Sequence, residues 1–211
     1  MTSESWVALL VFLLPLAYSP GPGNAFFAGI GATRGLRAAV PPLAGYHLAT
    51  FVVTAALGLG LGVTLGDHPG ALRILGLAGS CYVLWLAVVF LRSALTRQTA
   101  ETTGTASATK VSFGSGVLVL VLNPKAYYII TAMFAQFLGA GGAGPGDVLA
   151  ITTVFTLNNV VAFVVWTLAG SALTAVFRGD RARRWIDGFF ALTLLGVALW
   201  MALPLVLPAR P

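Results

Sequence analysis

The sequence predicts an all-α polytopic membrane protein: six transmembrane helices in two inverted three-helix repeats, the first and fourth helices broken at proline motifs. Three observations lead there. Of 211 residues, 58% are hydrophobic and only 9% charged, whereas a soluble domain carries about a quarter charged residues. Apolar stretches recur at or above the roughly 20 residues that a helix needs to cross a ~30 Å hydrocarbon core. Lys and Arg collect in alternate connections. Six spans and their connections use up the length, so residues 1–211 read as one transmembrane domain with no separate soluble part.

Span one runs from about Trp6 to Thr33, interrupted by Ser19-Pro20-Gly21-Pro22-Gly23-Asn24. Its N-terminal flank carries Glu4 and no Lys or Arg, unlike the positive start of a cleaved signal, so the run is expected to be retained. Span two covers about Ala38–Leu65 and span three about Ala71–Leu91, closing a first repeat over about residues 1–91. A Thr/Ser/Ala-rich stretch from Arg92 to Ser112 has the composition of a linker. The second repeat, about residues 113–211, opens with span four, Phe113–Leu138, interrupted by Asn123-Pro124-Lys125. After a glycine-rich turn from Gly139 to Gly146, span five covers about Val148–Phe177 and span six about Trp185–Leu207. Three spans per half is odd, so the second half enters the membrane from the opposite side, a common plan among secondary transporters.

Charge orients the chain. The connections after spans one, three and five hold Arg34, Arg37, Arg92, Arg97, Lys110, Arg178, Arg181, Arg183 and Arg184; the other side holds Arg73 and Arg210. Short loops rich in Lys and Arg stay cytoplasmic, so both termini are expected outside a cell (inner or plasma) membrane, with the lipid bilayer as the main partner. The same placement explains the pI near 10.1 without nucleic acid. Cys81 is the only cysteine, which excludes an intrachain disulfide, and its apolar span suggests a buried, inert thiol.

The breaks carry the chemistry. A proline in a helix interior removes a donor and costs ~3 kcal/mol or more, and freed backbone groups at membrane depth are tolerated only around a cavity. Two prolines and two glycines within Pro20-Gly21-Pro22-Gly23 therefore predict real unwinding. At the second break Asn123 suits an N-cap and Pro124 the first helical position. Lys125 follows, twelve residues beyond Phe113, or ~18 Å along a helix; a charge at that depth points to function. Restarted half-helices carry free N–H groups and a partial positive charge at their N-termini. Ser19, Pro20, Gly21, Pro22, Asn24, Asn123, Pro124 and Lys125 are thus expected to form a midplane site for a carboxylate or another small anion. Asn158 and Asn159 of span five are candidates for the same site, with Thr50 and Gln136 beside it. His47 is the candidate for proton coupling, and Asp187, next to the Arg178–Arg184 connection, for gating. Gly58, Gly62 and Gly66, with Gly45 and Ala49, have the small-residue spacing of close helix packing, within the chain or across a homodimer.

These residues resemble a known family. Pro20-Gly21-Pro22 followed by Gly35 and Gly45, and Asn123-Pro124-Lys125-Ala126 followed by Gln136-Phe137, are similar to the two ordered signatures of the LysE/RhtB-type amino-acid exporters, over essentially the whole chain. The resemblance implies a secondary transporter exporting amino acids or small derivatives from the cytoplasm, driven by the proton gradient. It departs at Ala135, where proline is usual, and at Ala49-Thr50, where many members carry glycine and a more polar or acidic residue. The second departure removes a partner for a cationic substrate and favours neutral amino acids. An exporter of another small solute or a metal ion with a related six-helix fold is the alternative. One His and one Cys in the spans are too few for a metal site, and no spacing suggests the nucleophile–base pair of an enzyme. No cofactor is expected.

Overall fold

The computed structural model describes residues 2–19, 21–61, 69–96, 111–138, 144–176 and 180–206, and among these it contains helices and no strand. The helices are α1 (Ser3–Tyr18), α2 (Pro22–Arg34), α3 (Leu36–Ala56), α4 (Pro69–Thr96), α5 (Phe113–Val121), α6 (Pro124–Phe137), α7 (Pro145–Val176) and α8 (Asp180–Val206). A π-helical segment, Leu57–Leu61, prolongs α3, and Gly60 within it turns to φ 118°. Each element has a local cause. Thr2 caps α1 by accepting from the Ser5 amide, a reciprocal Ser112–Ser115 capping box starts α5, and prolines open α2, α6 and α7. Gly35 separates α2 from α3 at φ 79°, in the left-handed region that suits glycine.

Both broken helices appear where expected. α1 and α2 meet at a bend of 60°, α5 and α6 at a bend of 63°. By length and composition α3 with its extension and α7 each suffice to cross a membrane, and so does each bent pair taken as one span. That makes four candidate spans among the described residues. α4 and α8 match the third and sixth predicted spans in place, and α4 holds a shorter apolar run, Leu77–Val89. The predicted linker starts too early, because Arg92 to Thr96 continue α4, and the predicted turn and sixth span give way to α7 from Pro145 and α8 from Asp180; residues 97–110 of the linker lie outside the described residues, as do Gly62 and Gly66.

Packing depends on glycine where helices cross. A Cβ on Gly31 would run into the Thr167 carbonyl, and one on Gly170 into the Ala28 carbonyl, so α2 and α7 meet backbone to backbone. The Ser171 hydroxyl seals this crossing by donating to the Gly31 carbonyl at 2.9 Å. α3 and α5 cross the same way, with Gly45 against the Phe113 carbonyl and Gly116 against that of Pro42. In lipid, where tails compete for apolar contact, close approach of this kind replaces the hydrophobic drive between helices. α4 pairs most extensively with α8. Large apolar side chains such as Val11, Ile74, Leu157, Phe189 and Trp200 stay exposed around the outside. Cys81 is exposed as well, which corrects the expectation of a buried thiol. α4 turns Val83, Leu86 and Ala87 inward, and Cys81 falls off that face.

Candidate functional site

The two breaks meet each other. α1 ends when Ser19 goes extended, and the Lys125 ammonium, at the start of α6, reaches across 106 positions to it. Nζ donates to the Ser19 hydroxyl at 2.7 Å and to the Ser19 carbonyl at 3.1 Å. The Ser19 hydroxyl in turn donates to the Leu16 carbonyl at 2.9 Å. The cation is thus held at the C-terminal, electronegative end of α1. Gly21 makes the approach feasible, because a Cβ there would sit 3.2 Å from Nζ. Asn24, buried, donates from Nδ2 to the Ala17 carbonyl at 2.8 Å, tying α2 back onto α1 across the break.

The two restarted helices differ at their N-termini. α2 has no side-chain cap, and Gly21 and Pro22 open it. In α6 the Asn123 side chain accepts from the Lys125 amide at 3.2 Å, while its carbonyl accepts from the Ala126 amide at 3.1 Å. The expectation that both ends present free amides is therefore corrected at α6: its first donors are already used, because a side-chain cap and an anion compete for the same N–H groups. Lys125 supplies the positive charge on that side. Asn123→Ala is expected to destabilise the folded protein by about 1 kcal/mol through the lost cap, read as a lower midpoint in a circular-dichroism melt of detergent-purified protein.

Around this junction lies a cavity of about 30 Å³, room for about one or two water molecules. Gly21, Asn24, Asn123 and Lys125 line it, with Thr50 of α3 and Asn159 of α7. The predicted residues thus converge from four helices. Tyr46 and Phe163 complete the wall and were not singled out from the sequence. Tyr46 hydrogen-bonds the Asn123 side chain, and its ring stands 4.6 Å from that of Phe163. Gly23 is small because a Cβ would sit 2.9 Å from the Phe163 ring. An aromatic one position before a buried histidine was the only sequence signal for Tyr46; nothing distinguished Phe163 from other apolar residues of α7.

The other candidates are placed as follows. Pro20 lies outside the described residues, and Pro22 and Pro124 open α2 and α6. His47 is buried, its Nδ1 2.7 Å from the Leu43 carbonyl, and its ring packs 5.6 Å from Phe163 behind the cavity wall. Asn159 donates from Nδ2 to the Phe155 carbonyl at 3.0 Å, leaving its Oδ1 for another donor. Asn158 is half-buried and not on the cavity wall. Gln136 is exposed on α6. Asp187 belongs to α8, and its side chain is outside the description. The buried polar side chains, Asn24, His47, Thr50, Thr54, Ser80, Asn123, Thr152, Asn159 and Thr167, include no carboxylate among the described residues. The described wall of the cavity brings the Lys125 cation together with the side-chain amides of Asn24, Asn123 and Asn159.

A family model described as LysE type translocator matches residues 14–204. The chain is 30% identical over 190 residues to a homoserine/homoserine lactone efflux protein of Salmonella typhimurium, covering 89% of this chain and 86% of that protein. It is 28% identical over 189 residues to a threonine efflux protein of Salmonella typhi, covering 86% and 89%. A cysteine/O-acetylserine efflux protein of Klebsiella pneumoniae is 27% identical over 179 residues, covering 84% and 87%. No solved structure matches the chain.

Proposed function

This chain belongs to the LysE type translocator family, a family of multi-pass membrane transport proteins, and we propose that it exports neutral amino acids or their small derivatives from the cytoplasm by secondary transport. The observation that carries the reading is the Lys125 ammonium, held inside the protein where the two broken helices meet and bonded there to the Ser19 hydroxyl and carbonyl. A zwitterion fits that charge pattern. Its carboxylate takes the place of the Ser19 oxygens at Lys125 and reaches the uncapped start of α2, while Asn24, Thr50, Asn123 and Asn159 offer neutral partners to the ammonium group. Among the described residues this wall carries no carboxylate for a cationic side chain. Relatives named for efflux of homoserine, threonine and cysteine or O-acetylserine agree with a neutral substrate.

The remaining parts follow from the same reading. Six spans form two inverted halves, with α1–α2 answering α5–α6, α3 answering α7 and α4 answering α8. At the level of whole spans the packing agrees: exchanging the halves turns the crossing of span one with span five into that of span four with span two and leaves the α4–α8 pairing unchanged, although span one crosses through its second half-helix, α2, and span four through its first, α5. The basic ends face the cytoplasm, both termini lie outside the cell membrane, and the proton gradient drives export, with His47 as the coupling group and Asp187 as a gating charge. Asn158 serves beside Asn159 once the cavity widens.

The test is an efflux panel. Cells fed dipeptides accumulate free amino acids, and those expressing the protein are expected to release at least one neutral amino acid severalfold faster than cells without it. Equal release across a broad panel of neutral, acidic and basic amino acids overturns the reading.

A further inference from the structure

The Lys125 cavity is too small for an amino acid, yet a cavity of about 330 Å³ lies further along the same two helices. That volume is within the range of small-molecule sites. On α2 the residues run from Gly21 and Asn24 at the Lys125 cavity to Phe26, Ile30, Thr33 and Arg34 at the larger one. On α5 and the break that follows it they run the other way, from Asn123 and Leu120 to Leu118, Ser115 and Gly114. The helices are antiparallel here, so the cavities are stacked along one axis. From Asn24 to Ile30 is six residues, or ~9 Å of rise. The gap exists because α2 is tied to α7 and α5 to α3 by the glycine crossings, and the two make little contact with each other. α4 covers it with Tyr82, Trp85, Leu86 and Val89, and the Tyr82 hydroxyl donates to the Ser115 carbonyl at 3.4 Å.

We propose that this larger cavity is a second substrate site, an antechamber that receives a neutral amino acid with an apolar side chain from the basic end before it passes to Lys125. The inference rests on the exporter reading. Its walls give the side chain Phe26, Tyr82, Trp85, Leu86 and Leu118, while Arg34, Thr33 and Ser112 offer polar groups to the backbone end of the molecule. Phe26 on the antechamber wall and Leu120 on the Lys125 wall, both buried in one apolar cluster, form the closed door between the two. Membrane lipid is the competing occupant, since Trp85 and Leu118 also reach the outer surface.

Gly114 allows the test, because a Cβ there meets nothing closer than the Ser112 hydroxyl oxygen at 3.8 Å. Gly114→Cys in a Cys81→Ser background, with Leu118→Cys as the second variant, is treated with a membrane-impermeant thiol reagent in inside-out vesicles. Labelling is expected, and L-leucine or L-methionine at ten times its Kd slows it about tenfold, while glycine has little effect. The same protection persists in Lys125→Met, which separates this site from the one at Lys125. Labelling that no amino acid slows, in a protein that exports amino acids normally, overturns the antechamber and leaves the exporter reading standing. Labelling that appears only after lipid is stripped by detergent assigns the cavity to lipid and also overturns it. Protection without export of any amino acid keeps the antechamber as a binding site and removes the exporter reading on which its role rests.

Discussion

Lys125→Met is expected to slow export by about one to two orders of magnitude while the protein still inserts and folds. Methionine keeps the length and apolar stem of lysine, so packing against Gly21 survives. What disappears is the ammonium and its bonds to the Ser19 hydroxyl and carbonyl. Hydrogen bonds to a charged group contribute about 1.5–3 kcal/mol, so losing the carboxylate contact slows transport by about one to two orders of magnitude. Efflux of the substrate found in the panel measures the rate, and membrane fractionation with gel filtration in mild detergent measures the fold. Normal export by this variant excludes the carboxylate site at the junction. Because Ser19 ends α1 and depends on Lys125 as a donor, a modest loss of thermal stability is expected alongside.

The largest structural effect is expected from one added carbon. Gly31→Ala and Gly45→Ala each place a methyl group against a backbone carbonyl of a neighbouring helix, Thr167 and Phe113 respectively. A backbone has no rotamer to yield, so the helices must separate, at about 3 kcal/mol or more. In gel filtration both variants lose the monodisperse peak, whereas Gly188→Ala, where a Cβ meets no atom within 4 Å, keeps it. Equal behaviour of the three variants removes the glycine crossings from the account of assembly.

What could be read from the sequence was local. Pro20-Gly21-Pro22 and Asn123-Pro124 act on their own backbone, so both breaks and the Asn123 cap were visible without knowing the fold. Lys125 stood out because charge is so scarce in the spans. Its partner did not: Ser19 lies 106 positions away, and nothing in either stretch names the other. The same limit applied to faces. In a soluble helix polar residues mark the outside, but a helix apolar all round carries no such mark, so Cys81 was placed inside when it lies outside. Gly45 was singled out as a packing residue, yet its partner, the Phe113 carbonyl, belongs to the backbone and leaves no trace in residue identity. Phe163 and the cavity between α2, α4 and α5 exist only through such tertiary placement.

The glycine crossings also decide which parts can move as one. α2 is clasped to α7 and α3 to α5, each across the boundary between the two halves of the chain. Parting α2 from α5 without breaking these contacts would carry α7 with the one and α3 with the other, like the arms of a pair of shears. The two pairs touch along the α3–α7 seam, where Thr50 and Asn159 meet the Lys125 cavity. Each clasped pair is thus a hybrid drawing one helix from either half, and the seam between the pairs runs beside the Lys125 cavity.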